Sequence, residues 1–464
     1  MRQVVGAWFR CPWCCLVGGL AGFAILAHFG CQTGDGGESA RVEPPRAAAA
    51  LAAADEDEEL SPAEQAAFRN AVEEPPADWT GNVFELSHDY PQELPAPPEG
   101  GYPWEAFDFE TEPAEYMQAV LDSARADLEA LDWDPTRMPE PTWFHAPWMS
   151  QGPPSGSGRE FIRGMTRERA SRIGELSPDQ TNNFIPNYAV GFYNDVAGWT
   201  FGRVWADPGN PAFENGEPVF KNGAMGIKLL FTKADPEVPG DGVPYLVGSK
   251  EWQANIAPFQ SDDRVPETLR LLQVDIAVRD VRNDDVTGWI MGTFVYNGFQ
   301  EGETPFDRLA PVGLMWGDSP GFLPADAEGG ETPPQQWIND DVGTFQHLGW
   351  AKRINGPVDN PASSCMSCHG GGAETPVQSP MIPPASLSDE EKLAWFVNVG
   401  AGQAKDEGSI SLDYSLQMAV ALQNWKQWSS SQPGPGPLEA APAVAGDTAV
   451  IEHPVTRGEE GPPA

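Results

Sequence analysis

One short stretch combines residue types and spacing that prescribe chemistry: Cys365-Met366-Ser367-Cys368-His369. Two thiols three positions apart, followed at once by an imidazole, suit a metal cage, a thiol–disulfide couple or a covalent porphyrin. On one helical turn both sulfurs reach the same side, where each can add to a vinyl group of one porphyrin. The adjacent histidine then stands against the iron. C-x-x-C-H is the attachment signal of c-type haem, with the histidine as proximal ligand. Rival chemistries need partners that are missing. Zinc requires a second ligand pair, yet the other cysteines, Cys11, Cys14, Cys15 and Cys31, all fall in the first 31 residues. His145 or His347 would complete a cage only at an unusual spacing. A thioredoxin-type pair opens a helix in a βαβ unit, whereas Gly370-Gly371-Gly372 follows here. The expectation is one covalent haem c held by Cys365, Cys368 and His369.

The other face of the iron decides between carrying electrons and reacting with a small molecule. Met381, in Ser-Pro-Met-Ile-Pro-Pro, lies 12 residues after His369 in a proline-stiffened loop. It resembles the proline-flanked ligand methionine of small cytochromes c, and it is the candidate sixth ligand; an ordinary surface methionine is the alternative. His145 and His347 are further candidates, each also readable as a structural histidine, and Met418 fits a helix core. Arg159, Arg163, Arg167, Arg169 and Arg172 crowd into one stretch. Guanidinium groups pair bidentately with carboxylates, so they suit haem propionates, an anionic substrate or internal salt bridges. Trp337, Trp350, Trp395 and Trp425 could pack on a porphyrin face or simply fill a core.

Several elements must position this motif. The 464 residues exceed one compact core, and 28 Lys+Arg against 68 Asp+Glu give a net charge of −40. Such a surface repels phosphate backbones, which argues against nucleic acid as a partner. Residues 1–31 read as an export signal, with Arg2 and Arg10 ahead of the apolar run 16–27. Gly30-Cys31 resembles a bacterial lipoprotein site, so Cys31 is expected to carry lipid; an uncleaved membrane anchor is the alternative. The expected location is the periplasm or the outer membrane facing it. Residues 32–100 and 431–464, rich in Ala, Pro and acid, read as disordered tails.

Folding is expected from about residue 101. Tyr116, Val120, Ala124, Leu128 and Leu131 repeat at helical spacing behind Pro113. In 269–279, Leu272, Val274, Ile276 and Val278 alternate with Gln273, Asp275 and Arg279, the pattern of a half-buried strand. Strands are also expected at 188–193, 200–205, 226–232, 289–296 and 311–316. Residues 101–345 therefore read as a β-rich domain with an N-terminal helix, an antiparallel sandwich or open barrel. Residues 346–430 read as a small helical haem domain. There the capping box at Ser388–Glu391 starts a helix to Gly400, and a second helix runs from 413 to 428. The fold class is α+β.

With the motif placed, the order of parts resembles cytochrome P460 and its relatives, in which an antiparallel sheet precedes a single C-x-x-C-H near the C-terminus. The matching parts are residues 220–228, the strands at 269–279 and 288–296, and Cys365 to His369. The resemblance covers about 185–370, and only the haem motif in it is specific. It implies a lysine cross-linked to the haem, for which Lys228 is the candidate, and hydroxylamine oxidation, an activity not carried over to this chain. Two functional expectations result: an exported monohaem electron carrier docking a redox partner protein, or a P460-like enzyme or gas binder acting on a small nitrogen or oxygen ligand. An extracellular binding module with a structural haem is the third.

Overall fold

The computed structural model describes residues 68–149, 158–209, 211, 213, 219–257, 263–345 and 348–431. The whole export signal, residues 32–67 of the tail that follows it and residues 432–464 of the C-terminal tail therefore lie outside the described residues. Where it is described, the first tail departs from the expectation. Residues 68–100 lack regular structure but lie on the body, with Phe84, Leu86 and Tyr90 buried and backbone bonds from Val72 to Arg159 and from Phe84 to Phe161. A few large apolar side chains outweigh the surrounding prolines.

Helix α1 (Pro113–Ala130) buries Tyr116, Met117, Val120, Leu121, Ala124 and Leu128 along one stripe. The strands are β1 (Trp143–Phe144), β2 (Thr166–Arg167), β3 (Asn187–Asn194), β4 (Met225–Thr232), β5 (Glu251–Ile256), β6 (Val265–Arg279), β7 (Trp289–Tyr296), β8 (Leu309–Met315) and β9 (Gln336–Ile338). They form one antiparallel sheet in the order β1-β3-β4-β6-β7-β8-β9, with β2 beside β3 and β5 beside β6. The ends of this path do not pair, so the sheet does not close into a barrel. Nor does a second large sheet pack on it: the other sheet described is the two-stranded pair β10 (Glu374–Thr375) and β11 (Ile410–Ser411). The layers are instead helix, sheet and irregular segment.

Alternation along the strands explains this. Ile227, Leu229, Val274, Ile276, Val278 and Leu314 join α1 in one apolar cluster. On the opposite face Tyr193, Trp289, Met291 and Met315 cluster with helix α2 (Asp195–Trp205) and with Ile354, Met366, Val399, Leu412 and Met418. Residues within 348–431 therefore share a core with the sheet. Both faces of β6 are covered over 271–279, and two of its polar residues are buried there: Gln273 and Arg279 expose 0 and 2 %.

Residues 200–205, expected as a strand, form the second half of α2. The side chain of Asn194 accepts a bond from Ala197 N and caps the helix, and Val196, Ala197, Phe201, Val204 and Trp205 are among its buried residues. The early part of the C-terminal segment is less helical than expected. After α3 (Pro324–Glu328) come α4 (Cys365–Gly372), α5 (Asp389–Lys392) and α6 (Leu416–Ser431). The Ser388–Glu391 capping box forms, but its helix gives way to a single 3-10 turn, Leu393–Trp395, well before Gly400.

Candidate functional site

Cys365, Cys368 and His369 stand on α4, whose start is over-determined. Ser364 Oγ accepts from Ser367 N at 2.9 Å, and Ser367 Oγ accepts from Ser364 N at 2.8 Å, a reciprocal cap. Ser364 Oγ also donates to the buried Asp318 Oδ1 at 2.6 Å. Asp318 is held in turn by Arg353, at 3.6 Å from its Nε. Ser364→Ala removes the cap and leaves a buried carboxylate short of a donor. We expect a loss of about 2 kcal/mol, read as a lower urea midpoint with unchanged slope; a loss below about 0.5 kcal/mol would contradict this role for the cap.

His369 is oriented by its Nδ1, 2.8 Å from the carbonyl oxygen of Tyr414. A carbonyl only accepts, so Nδ1 carries the proton and Nε2 keeps its lone pair for a metal. That carbonyl is aimed by an unusual backbone: Asp413 and Tyr414 have φ of 52° and 65°, a left-handed pair that non-glycine residues seldom adopt. Asp413 is anchored by Phe220 N at 3.1 Å and Trp289 Nε1 at 3.1 Å. Tyr414 O–H donates to Val399 O at 2.9 Å. Gly370 permits this closure, since a Cβ there would stand 3.3 Å from the Tyr414 ring. Burial pushes the His369 imidazole down, toward the neutral form a ligand needs.

The two thiols are free, and burial pushes both up, Cys368 to about 12. Yet Cys365, Cys368 and His369 are only half-buried, while Met366, Ser367 and Gly370 between and beside them are buried. Deeply surrounded side chains that retain surface face a recess, and its polar wall is the sheet. Lys228, Asp275 and Thr293 are register neighbours across β4, β6 and β7, and Thr293 Oγ1 donates to Asp275 Oδ1 at 2.9 Å. Gln273 Nε2 bridges Asp275, at 2.7 Å, and Asp359, at 3.2 Å. The charges of Asp359 and Asp275 act on Cys365, and those of Lys228, Asp359 and Glu168 on His369. Burial opposes the Lys228 charge, but Glu168 (3.4 Å away), Asp359 and Asp275 hold it above its ordinary value.

Haem c fits this donor set: two unpaired thiols and a tautomer-locked imidazole on one helix, facing a recess. Among the described residues no group of three or more His, Cys, Asp or Glu side chains converges as a zinc cage would need.

The other sequence candidates scatter. Met381 packs on the helix that supplies His369, its Cε 3.3 Å from where a Cβ on Gly372 would stand. His145 is buried between Phe84 and Phe192, its Nδ1 accepting from Ser87 N at 3.0 Å. His347 lies outside the described residues. Arg163 pairs with Asp132 and Arg169 with Glu175; Arg159 sits apart from both. Trp350 stacks on Phe396 at 4.3 Å, and Trp395 lies under Lys405. Sequence reasoning missed Glu168, Asp275 and Asp359 as site residues. The one available signal was Asp275 on the polar side of an otherwise apolar strand.

Three carboxylates around α4 make stability sensitive to pH. Burial raises Asp275, Asp318 and Glu374, each to about 7. Their folded values exceed their unfolded ones, so the folded protein binds more protons and loses stability as pH rises from about 4 through about 7, the loss levelling off by about pH 8. The neutral buried His145 and His369 act oppositely, but their contribution is complete above about pH 6.5. Urea midpoints are therefore expected to fall between pH 6.5 and 8; a rise over that window contradicts the buried carboxylates.

Compared with protein-family models, with curated proteins and with solved structures, the chain matches none.

Proposed function

We propose that this chain is an exported c-type haem protein with one haem c, bound covalently through Cys365 and Cys368 and ligated by His369. The observation that carries the reading is the His369 Nδ1–H bond to the Tyr414 carbonyl beside two free thiols on the same helix. When bound, the haem supplies one-electron redox chemistry and an iron able to take a small ligand. The chain's own residues determine which use prevails. His369 would hold the iron through the Nε2 lone pair that its Nδ1 bond to Tyr414 leaves free. Across the recess stand Lys228, Asp275 and Thr293, groups able to hold or move a proton beside a small molecule. Met381 packs against Gly372 of the same helix, α4, that carries His369.

The favoured reading is accordingly a haem protein acting on a small nitrogen or oxygen ligand, the chemistry that the P460 resemblance suggests, with electrons exchanged with a partner protein. Net charge −40 favours a basic partner. Simple electron transfer with Met381 as sixth ligand is the second reading, and rests on the proline-flanked position of that residue. Export and anchoring, through lipid on Cys31 or the apolar run 16–27, rest on residues outside those described. Spectra of the reduced holoprotein with and without carbon monoxide decide. Ready carbon monoxide binding by the wild type supports the small-ligand reading. A low-spin spectrum indifferent to carbon monoxide, made reactive by Met381→Ala, establishes the electron carrier instead.

A further inference from the structure

Arg159 is a buried cationic side chain to which the haem reading assigns no role. It is 3 % exposed, and its charge meets no carboxylate within 4 Å among the described residues. Its Nε donates to Gly164 O at 3.2 Å and its Nη2 to Ala146 O at 2.8 Å, while Nη1 finds no partner. The neighbouring Glu160 does not answer it. That carboxylate is occupied by the backbone amides of Ile162, Arg163, Met165 and Asn255. A buried guanidinium with an idle donor and no counter-charge is costly unless something anionic completes it.

Arg159 also lines a small cavity of about 50 Å³, with Thr166, Glu168, Tyr193, Lys228 and Gln417 among the other walls. Since one water needs roughly 10–15 Å³ of such space, it has room for about three to five water-sized groups. Tyr193 contributes a hydroxyl with no partner among the described residues. Its charged lining is two cations, Arg159 and Lys228, against one carboxylate, Glu168, which is already paired with Lys228. Lys228 is shared with the recess in front of Cys368 and His369.

We infer that Arg159, Tyr193 and Lys228 form a binding site for a planar two-oxygen monoanion beside the His369 recess. Size, charge and donors fit a carboxylate or a nitrite-like oxyanion, which takes two N–H or O–H donors on its oxygens. Two sources share this chemistry: a free small anion, or a propionate arm of the haem. The second source rests on the haem reading; the site itself does not.

Formate is the probe, titrated calorimetrically into the purified protein and into the Cys365→Ala/Cys368→Ala double variant. One saturable site is expected in at least one form, weakened tenfold or more by Arg159→Gln, largely kept by Arg159→Lys and unchanged by Arg163→Gln. Should Arg159→Gln fail to fold, Tyr193→Phe replaces it, with a severalfold weakening expected. Binding to the haem-loaded protein, with carbon-13 formate resonances broadened by ferric iron, identifies a free anion. Binding only to the haem-free double variant identifies the propionate. If the wild type carries no covalent haem but binds formate with the same Arg159 dependence, the haem reading fails and the anion site stands. Absence of Arg159-dependent (or, in its place, Tyr193-dependent) binding from both forms overturns the site.

Discussion

Replacing Cys365 and Cys368 together by alanine is expected to abolish all haem that survives denaturation, while the chain still folds. Both thiols are free and held protonated by burial, so their loss removes little of the protein's own packing. The apolar anchors around α4, among them Met366, Val399, Tyr414 and Met418, stay in place. Stability should nonetheless fall, because the apolar surface that the haem and the folded chain bury against each other is lost with it. Either single variant should keep one thioether link. His369→Ala should behave differently again, since both sulfurs remain: haem stays attached, but the spectrum loses the signature of an imidazole ligand. A double variant that retains haem through denaturation would remove the thiols from the account.

Lys228→Met is the second large expectation. Lys228 lies among Glu168, Asp275 and Asp359 on the wall facing His369. A methionine of similar length leaves these carboxylates without their cation, and breaking a buried charged set by deleting one partner costs about 3 kcal/mol. The cost should depend on pH in a definite direction. Asp275, already raised to about 7 by burial with Asp359 next to it, is driven further up once Lys228 is gone. At pH 5 it is protonated in both proteins, so the variant is least destabilised there; at pH 8 the deficit is greatest. Adding Glu168→Gln should recover part of the loss, as coupled partners do. A Lys228→Met protein as stable as the wild type from pH 5 to 8 would contradict the charge arrangement at this wall.

How much of this could be read in advance depended on distance along the chain. The motif was legible because its chemistry is local: five adjacent residues, with a serine cap one step before them. Strand β7 was legible because its apolar run is bounded by turns at both ends, and α1 because its stripe is regular. Residues 200–205 misled because Thr, Phe, Val and Trp favour strands, whereas the cap at Asn194 and the burial of Val196, Phe201 and Val204 impose a helix. The tail before residue 100 misled because composition averages over single anchors such as Phe84 and Tyr90. The polar wall was half legible. Alternation placed Gln273, Asp275 and Arg279 on one side of β6, but that side reads as solvent-facing until residues some 86 positions later close over it, as Asp359 does on Gln273. Nor could spacing reveal that Tyr414, 45 residues beyond His369, supplies the carbonyl that fixes its tautomer.

The most direct test is the intact mass and the reduced spectrum of the wild-type protein, exported in a host that matures c-type cytochromes and then fully denatured. The account predicts the mass of the processed chain plus one haem, a haem spectrum that persists in denaturant, and loss of both in the Cys365→Ala/Cys368→Ala variant. A denatured chain at its bare polypeptide mass, with no haem absorbance, would contradict it.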